Sequence, residues 1–207
     1  SICGDEWYLD PHATGRWEEN QFTLSWGHFT NYWPSMLIEL LDGVLFATDI
    51  QSILLERVSL AIKEIGSQFL AVHFRNTDYK SSFDEVAEAA LRFCTDHKTK
   101  SIYWASDDMK SLKQAKFFFK SASISVFNLT LKHDVSQIEG AAALHALPAS
   151  YLEKTGLLQR DLTIDFLCDV FILASGQDFI GSRGTVPFLV NSLRANRKNL
   201  LKTHMLG

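Results

Sequence analysis

From Asp49 onward the chain alternates short apolar runs with single amphipathic stretches, and this alternation constrains the fold more than any other feature. Ile50, Ile53, Leu54, Ala61, Ile62 and Ile65 recur at helical spacing, and Gly66 stands where a helix C-cap belongs. The run Phe69–Phe74 reads as a buried strand. Ser82 and Glu85 then form an S-x-x-E capping signature ahead of the stripe Phe83, Val86, Ala90, Leu91 and Cys94, which predicts a helix over Ser82–Cys94. The later expected elements are strand Ser101–Ala105, helix Met109–Lys120, strand Ile124–Leu129, a strongly apolar helix Asp161–Ala174, strand Asp178–Gly181 and a helix over Thr185–Ala195. Only Thr130–Arg160 is less regular. Strands separated by single helices pair in parallel through crossovers, so the expected class is α/β: an open parallel sheet with helices on both faces.

Residues 1–48 are of another kind. Trp7, Tyr8, Trp17, Phe22, Trp26, Phe29, Tyr32 and Trp33 sit among Asp, Gly, Asn and Pro34 with no helical or strand period. The expected organisation is a loop-rich aromatic extension over 1–48, packed on or beside an α/β domain over 49–207. The 46% hydrophobic and 21% charged content gives a chain of 207 residues enough apolar material for a sizeable core.

Charge and cysteine usage narrow the classes further. A formal net charge of −4 weighs against nucleic acid as a partner, because phosphate neutralisation calls for a basic face. Cys3, Cys94 and Cys168 lack CxxC spacing and read as buried thiols, which leans toward a reducing compartment. No run approaches the roughly 18 apolar residues of a membrane span, so no membrane segment is expected in this chain. The chain begins without Met, and the expectation is a fragment or a processed product. Asn128-Leu129-Thr130 matches a glycosylation sequon at an expected strand end, a tripeptide common by chance.

In an open parallel α/β sheet ligands sit beyond the carboxyl ends of the strands. Three polar motifs fall there, on three strands: His73-x-Arg75-x-x-Asp78, Ser106-Asp107-Asp108, and Gly181-Ser182-Arg183-Gly184-Thr185 at the entry to a helix. The last is a small-residue turn where free backbone N–H groups and the helix dipole favour an anion. Arg75 adds a planar, permanently charged fork suited to phosphate oxygens. Asp107 or Asp108 has the acceptors for a guanine edge or a ribose. Each piece also has a plainer reading: Arg75 and Asp78 as an ion pair, Asp108 and Thr185 as N-caps, His73 as a core histidine. Their convergence on one sheet edge is what points to a nucleotide diphosphate pocket. GxxxxGK[ST], GxGxxG and GxSxG are all missing, and no third ligand joins Asp107-Asp108 or His133-Asp134 at metal-binding spacing.

These stretches resemble a known family. "AVHFRNTDYKSS" is similar to the H-x-R-x-x-D motif of the GDP-fucose-dependent fucosyltransferases, the group of α1,6-fucosyltransferase, nodulation fucosyltransferase and protein O-fucosyltransferases. "IYWASDDMKSLKQAK" is similar to that family's second motif and "DFLCDVFILASGQDFIGSRGTVPFLV" to its third; the resemblance covers about Phe69 to Arg197. The resemblance implies a Rossmann-like sheet, the C-terminal, donor-binding half of a GT-B glycosyltransferase. It implies metal-independent, inverting transfer of L-fucose from GDP-fucose to a glycan or glycosylated acceptor, without a cofactor. It places Arg75 on the leaving diphosphate, His73 and one of Asp107 and Asp108 on guanosine, Asp78 in the donor pocket, and Ser182, Gly184 and Thr185 on phosphate. Arg75 and Asp78 are the catalytic candidates, and no residue is expected to bind metal.

Two departures qualify it. Gly184-Thr185 stands where the family carries a Ser-Ser pair, and the position of the α1,6 enzymes' candidate base falls near Phe83, with Asp84 and Glu85 adjacent. The base is therefore unassigned, and a non-catalytic or truncated domain that binds GDP or glycan stands as the alternative. With 68 residues ahead of the strand that carries the first motif, the chain is expected to be either an excised donor domain or one whose aromatic extension serves as the acceptor wall. The compartment depends on the source, cytoplasmic for a bacterial protein and the secretory lumen for a piece of a eukaryotic enzyme.

Overall fold

A computed structural model describes residues 50–75, 81–106, 108–129, 149–181, 186–191 and 193–194. The chain divides into two units, Ser1–Thr48 and Asp49–Gly207, and every described residue belongs to the second. The aromatic extension lies outside the described residues.

The described elements run α1 (Ile50–Ile65), β1 (Leu70–Phe74), α2 (Phe83–Asp96), β2 (Ser101–Ser106), α3 (Met109–Lys120), β3 (Ser125–Phe127), α4 (Ala149–Thr155), α5 (Gln159–Ser175) and β4 (Asp178–Gly181), followed by helical residues 186–191. The strands form one sheet in the order β3-β2-β1-β4, and each adjacent pair is parallel. This is the open, Rossmann-like α/β sheet that the alternation of elements predicts.

Local signals explain most boundaries. Gly66 closes α1 at φ +94°, a left-handed conformation that glycine adopts without strain, and its N–H donates to the Ile62 carbonyl at 2.9 Å. Ser82 caps α2, its Oγ accepting from the Glu85 N–H at 3.4 Å, while Asp84 and Glu85 place negative charge in the first turn. Several expected boundaries move by a residue or two, and the larger differences have local causes. The strand expected over Ile124–Leu129 shrinks to Ser125–Phe127: the Ile124 N–H still serves the exit of α3 by donating to Phe119, and the Asn128 side chain turns back to the Trp104 carbonyl at 2.8 Å. That contact gives Asn128 a structural role inside the sequon. The apolar helix begins at Gln159 rather than Asp161, with Leu158 as an N-cap that makes no side-chain bond. Inside the stretch read as irregular, α4 forms and ends at Gly156, at φ +67°.

Period-two alternation assigns the layers. Leu70, Val72 and Phe74 on β1 and Ile102 and Trp104 on β2 face one side, where α2 and α3 cover them with Ala87, Ala90, Cys94, Leu112, Ala115 and Phe119. The intervening positions face α1 and α5: Tyr103 reaches α5, and Leu54, Val58, Ala61 and Ile65 bury the inner stripe of α1. Apolar residues lie nearly all round α5, as a helix sandwiched between a sheet and another helix requires. Cys94 and Cys168 are buried free thiols, as expected, and burial pushes the Cys94 thiol up to about 11. No helix among the described residues is long and apolar enough to cross a membrane.

Candidate functional site

The sheet order carries the decisive information. From β1 the chain steps through β2 to β3 by way of α2 and α3 on one face; α5, on the other face, then leads to β4 on the opposite side of β1. The direction of winding reverses between β1 and β4, and such a switch point opens a crevice at the carboxyl ends of the strands, where α/β proteins bind ligands.

Register fixes what stands there. His73 is level with Gly181 on one side and Ala105 on the other, and Phe74 is level with Ser106. Three of the sequence-predicted motifs thus leave the sheet at the same height from adjacent strands. His73 and Arg75 are half-buried, and the two are close enough for the Arg75 charge to act on the imidazole. Burial lowers the His73 pKa to about 4, with the Arg75 charge adding to the effect, so the ring is neutral at physiological pH. A neutral imidazole offers one donor and one acceptor, whereas a second cation beside Arg75 would offer only donors.

At the end of β2 the turn is internally bonded. The Asp108 N–H donates to Ser106 Oγ at 3.1 Å, Ser106 Oγ lies 2.8 Å from Ser111 Oγ, and Asp108 Oδ1 accepts from the Lys110 N–H at 2.9 Å. Asp108 is 4% exposed and caps α3. Of its two sequence readings, the cap is the one the structure displays. Gly181 is needed for packing: a Cβ there would lie 2.6 Å from the Phe179 ring and 2.9 Å from Pro187 Cγ, which brings the following helix tight against the strand end.

Asp78, Asp107, Ser182, Gly184 and Thr185 lie outside the described residues. Phe83, near the position where the resemblance puts a candidate base, packs its ring 6.0 Å from Phe74 and 5.7 Å from Trp104, half-buried against the core. Sequence reading also missed the link between Tyr103 and α5, where the Tyr103 hydroxyl donates to Asp169 Oδ1 at 2.5 Å. The alternation of "SIYWA" gives the side on which Tyr103 faces, but nothing local names a partner 66 positions away.

Comparison with known proteins yields a distant likeness of fold. No family model matches the chain, and no curated protein is similar to it. Among solved structures, the GDP complex of POFUT1, a GDP-fucose protein O-fucosyltransferase, superposes with a TM-score of 0.48 and 13% identity over 69% of this chain and 44% of that one. The apo form of POFUT1 gives 0.49 and 13% over 70% and 43%. The chain spans less than half the length of these structures. The likeness is one of fold, at long distance.

Proposed function

We propose that residues 49–207 form the donor-binding domain of a glycosyltransferase that takes a GDP-sugar, GDP-fucose above all, and transfers the sugar to a glycan or glycosylated acceptor. The observation that carries this reading is the convergence at the β1/β4 switch point. There the ends of β1, β2 and β4 bring His73, Ala105 and Gly181 to one level, with Arg75 and Asp108 just beyond the strand ends. The motif resemblance supplies the identity of the nucleotide.

Each part has a physical task. Arg75 holds and neutralises the diphosphate as it leaves, the kind of electrostatic assistance that lets transfer proceed without a divalent cation. Neutral His73 adds a directional hydrogen bond beside it. With Asp108 engaged as a helix cap, Asp107 takes the guanosine contact. The turn of Ser182, Gly184 and Thr185 receives a phosphate on backbone N–H groups at a helix start, where Gly184 still donates though it lacks a hydroxyl. Asp78 closes the donor pocket.

Calorimetry with GDP tests the assignment. Arg75→Ala should weaken GDP binding at least tenfold, as loss of a charge-assisted bond worth about 1.5–3 kcal/mol requires; unchanged affinity would remove Arg75 from the pocket. A second reading, a domain that binds GDP without turnover, is favoured by one observation: Phe83, near the base position, is an apolar ring packed against Phe74 and Trp104. Release of GDP from GDP-fucose in the presence of any acceptor would eliminate it.

A further inference from the structure

The outward face of α3 differs in charge from those of the other described helices of eight residues or more, each of which contains acidic residues. Its sequence, MKSLKQAKFFFK, holds four lysines and no acidic residue, within a chain of formal net charge −4. At about 100° per residue, the buried Leu112, Ala115 and Phe119 fall on one side of the helix, while Lys110, Lys113, Lys116, Phe117 and Lys120 fall within an arc of about 120° on the other. All four lysines are exposed, and Phe117 is 83% exposed. Phe118 and Phe119 turn inward, where Phe118 packs on Phe83. Of the three phenylalanines of α3, Phe117 is the exposed one, on the same arc as the lysines.

We propose that this face of α3 docks the protein on an anionic lipid bilayer, with the lysines over the headgroups and the Phe117 ring in the interface below them. Charge complementarity sets the sign of the partner, and the nature of the face sets its kind. A protein interface of ordinary size buries on the order of 800 Å² per partner around an apolar core from which lysine is depleted. Here one ring is the whole apolar content, and lysine supplies nearly everything around it. A bilayer interface accepts an isolated protruding ring without a matching pocket, and lysines near its surface each add attraction. On the same side of the sheet α2 exposes Asp84, Glu85 and Glu88, so the basic strip is one helix wide and its attraction is screened by salt.

Co-sedimentation of the full chain with vesicles tests this, comparing pure phosphatidylcholine with phosphatidylcholine mixed with phosphatidylserine. Binding is expected to the mixed vesicles only, and to fall as salt rises. Loss of one lysine should lower partitioning about fivefold, the equivalent of about 1 kcal/mol per basic residue at the surface. The double variant Lys113→Gln, Lys116→Gln should then bind roughly 25-fold more weakly. Phe117→Ala should weaken binding while keeping its salt dependence. These positions are exposed, so circular dichroism should show each variant folded. Equal binding to both vesicle types, no binding to the mixed ones, or a double variant that binds like the parent overturns the proposal. So does a vesicle-free dimer, seen by sedimentation velocity, that the double variant abolishes, since the lysines would then meet the acidic α2 of a second copy. Capture by polyglutamate stronger than by the mixed vesicles would reassign the face to an acidic protein.

Discussion

The two faces of the sheet are built on different principles. Under α2 and α3 the layer is apolar and aromatic: Leu70, Val72, Phe74, Ile102 and Trp104 meet Phe83, Leu112, Ala115 and Phe119. Under α1 and α5 the layer admits polar groups in pairs. Tyr103 bonds Asp169, Arg57 bonds Asp165 at 2.7 Å, and His73 sits at the carboxyl end of the same face. Apolar packing is stable in any local arrangement that fills space, whereas a buried carboxylate tolerates only the geometry that satisfies it. The first face therefore supplies most of the cohesion, and the second fixes how α1 and α5 sit against the strands that carry the candidate site.

Breaking the apolar face should have the largest effect. Trp104 is fully buried, with ring centroids 5.6 Å from Phe74, 5.7 Å from Phe83 and 6.3 Å from Phe119. Trp104→Ala should cost about 3–5 kcal/mol, read as a lower denaturant midpoint. The indole Nε1 has no hydrogen-bond partner among the described residues, so Trp104→Phe removes no bond and should cost much less than the alanine variant. Equal losses in the two variants would mean that this face depends on a polar contact of the indole after all.

The second effect belongs to the polar face and is set by pH. Protonation of His73 is opposed in the folded protein, where its pKa is about 4, and free in the unfolded chain near 6.5. Between these values the unfolded state binds more protons, so folding stability falls as pH drops from about 6.5 to about 4 and is insensitive to this group outside that window. The full contribution is at most about 3 kcal/mol. Carboxylates titrate in the lower part of the same range, so the measurement is a difference: thermal melts of the parent and of His73→Gln across pH 7 to about 4, with the parent losing more. Parallel curves would show that the imidazole is not excluded from water in solution.

How far the sequence foretells this molecule depends on whether a feature is local. Each βα unit carries its own punctuation, such as Ser82 before α2, Gly66 after α1 and Asp108 before α3, and these place the helices to within a few residues. The order β3-β2-β1-β4 has no such signature, because a buried parallel strand reads the same wherever it lies in the sheet. The candidate site was legible as three polar strand ends, since strand direction alone sends them to one edge. That His73 stands level with Gly181 needed the pairing of β1 with β4. Asp108 shows the converse: a cap and a ligand both ask for an acidic residue before a helix, and only the bond to the Lys110 N–H separates them.

The smallest effect sharpens the contrast between the faces most. Tyr103→Phe keeps the ring and its packing and removes only the hydroxyl that donates to Asp169 Oδ1. A bond to a charged group is worth about 1.5–3 kcal/mol, but Asp169 is only half-buried and regains some of that from water, so the expected cost is about 1–2 kcal/mol in chemical denaturation. The consequence that distinguishes a positioning bond from mere cohesion lies elsewhere. α5 feeds directly into β4, so loosening its tie to β2 should shift the Gly181 end of the crevice relative to His73. GDP affinity should then fall in Tyr103→Phe, although the hydroxyl is committed to α5 rather than to the strand ends. Trp104→Phe, made in the same strand but on the opposite face, should leave GDP affinity near that of the parent. Equal losses of affinity in the two variants would mean that the crevice responds to stability in general, and that the polar pairs under α5 hold no special geometry.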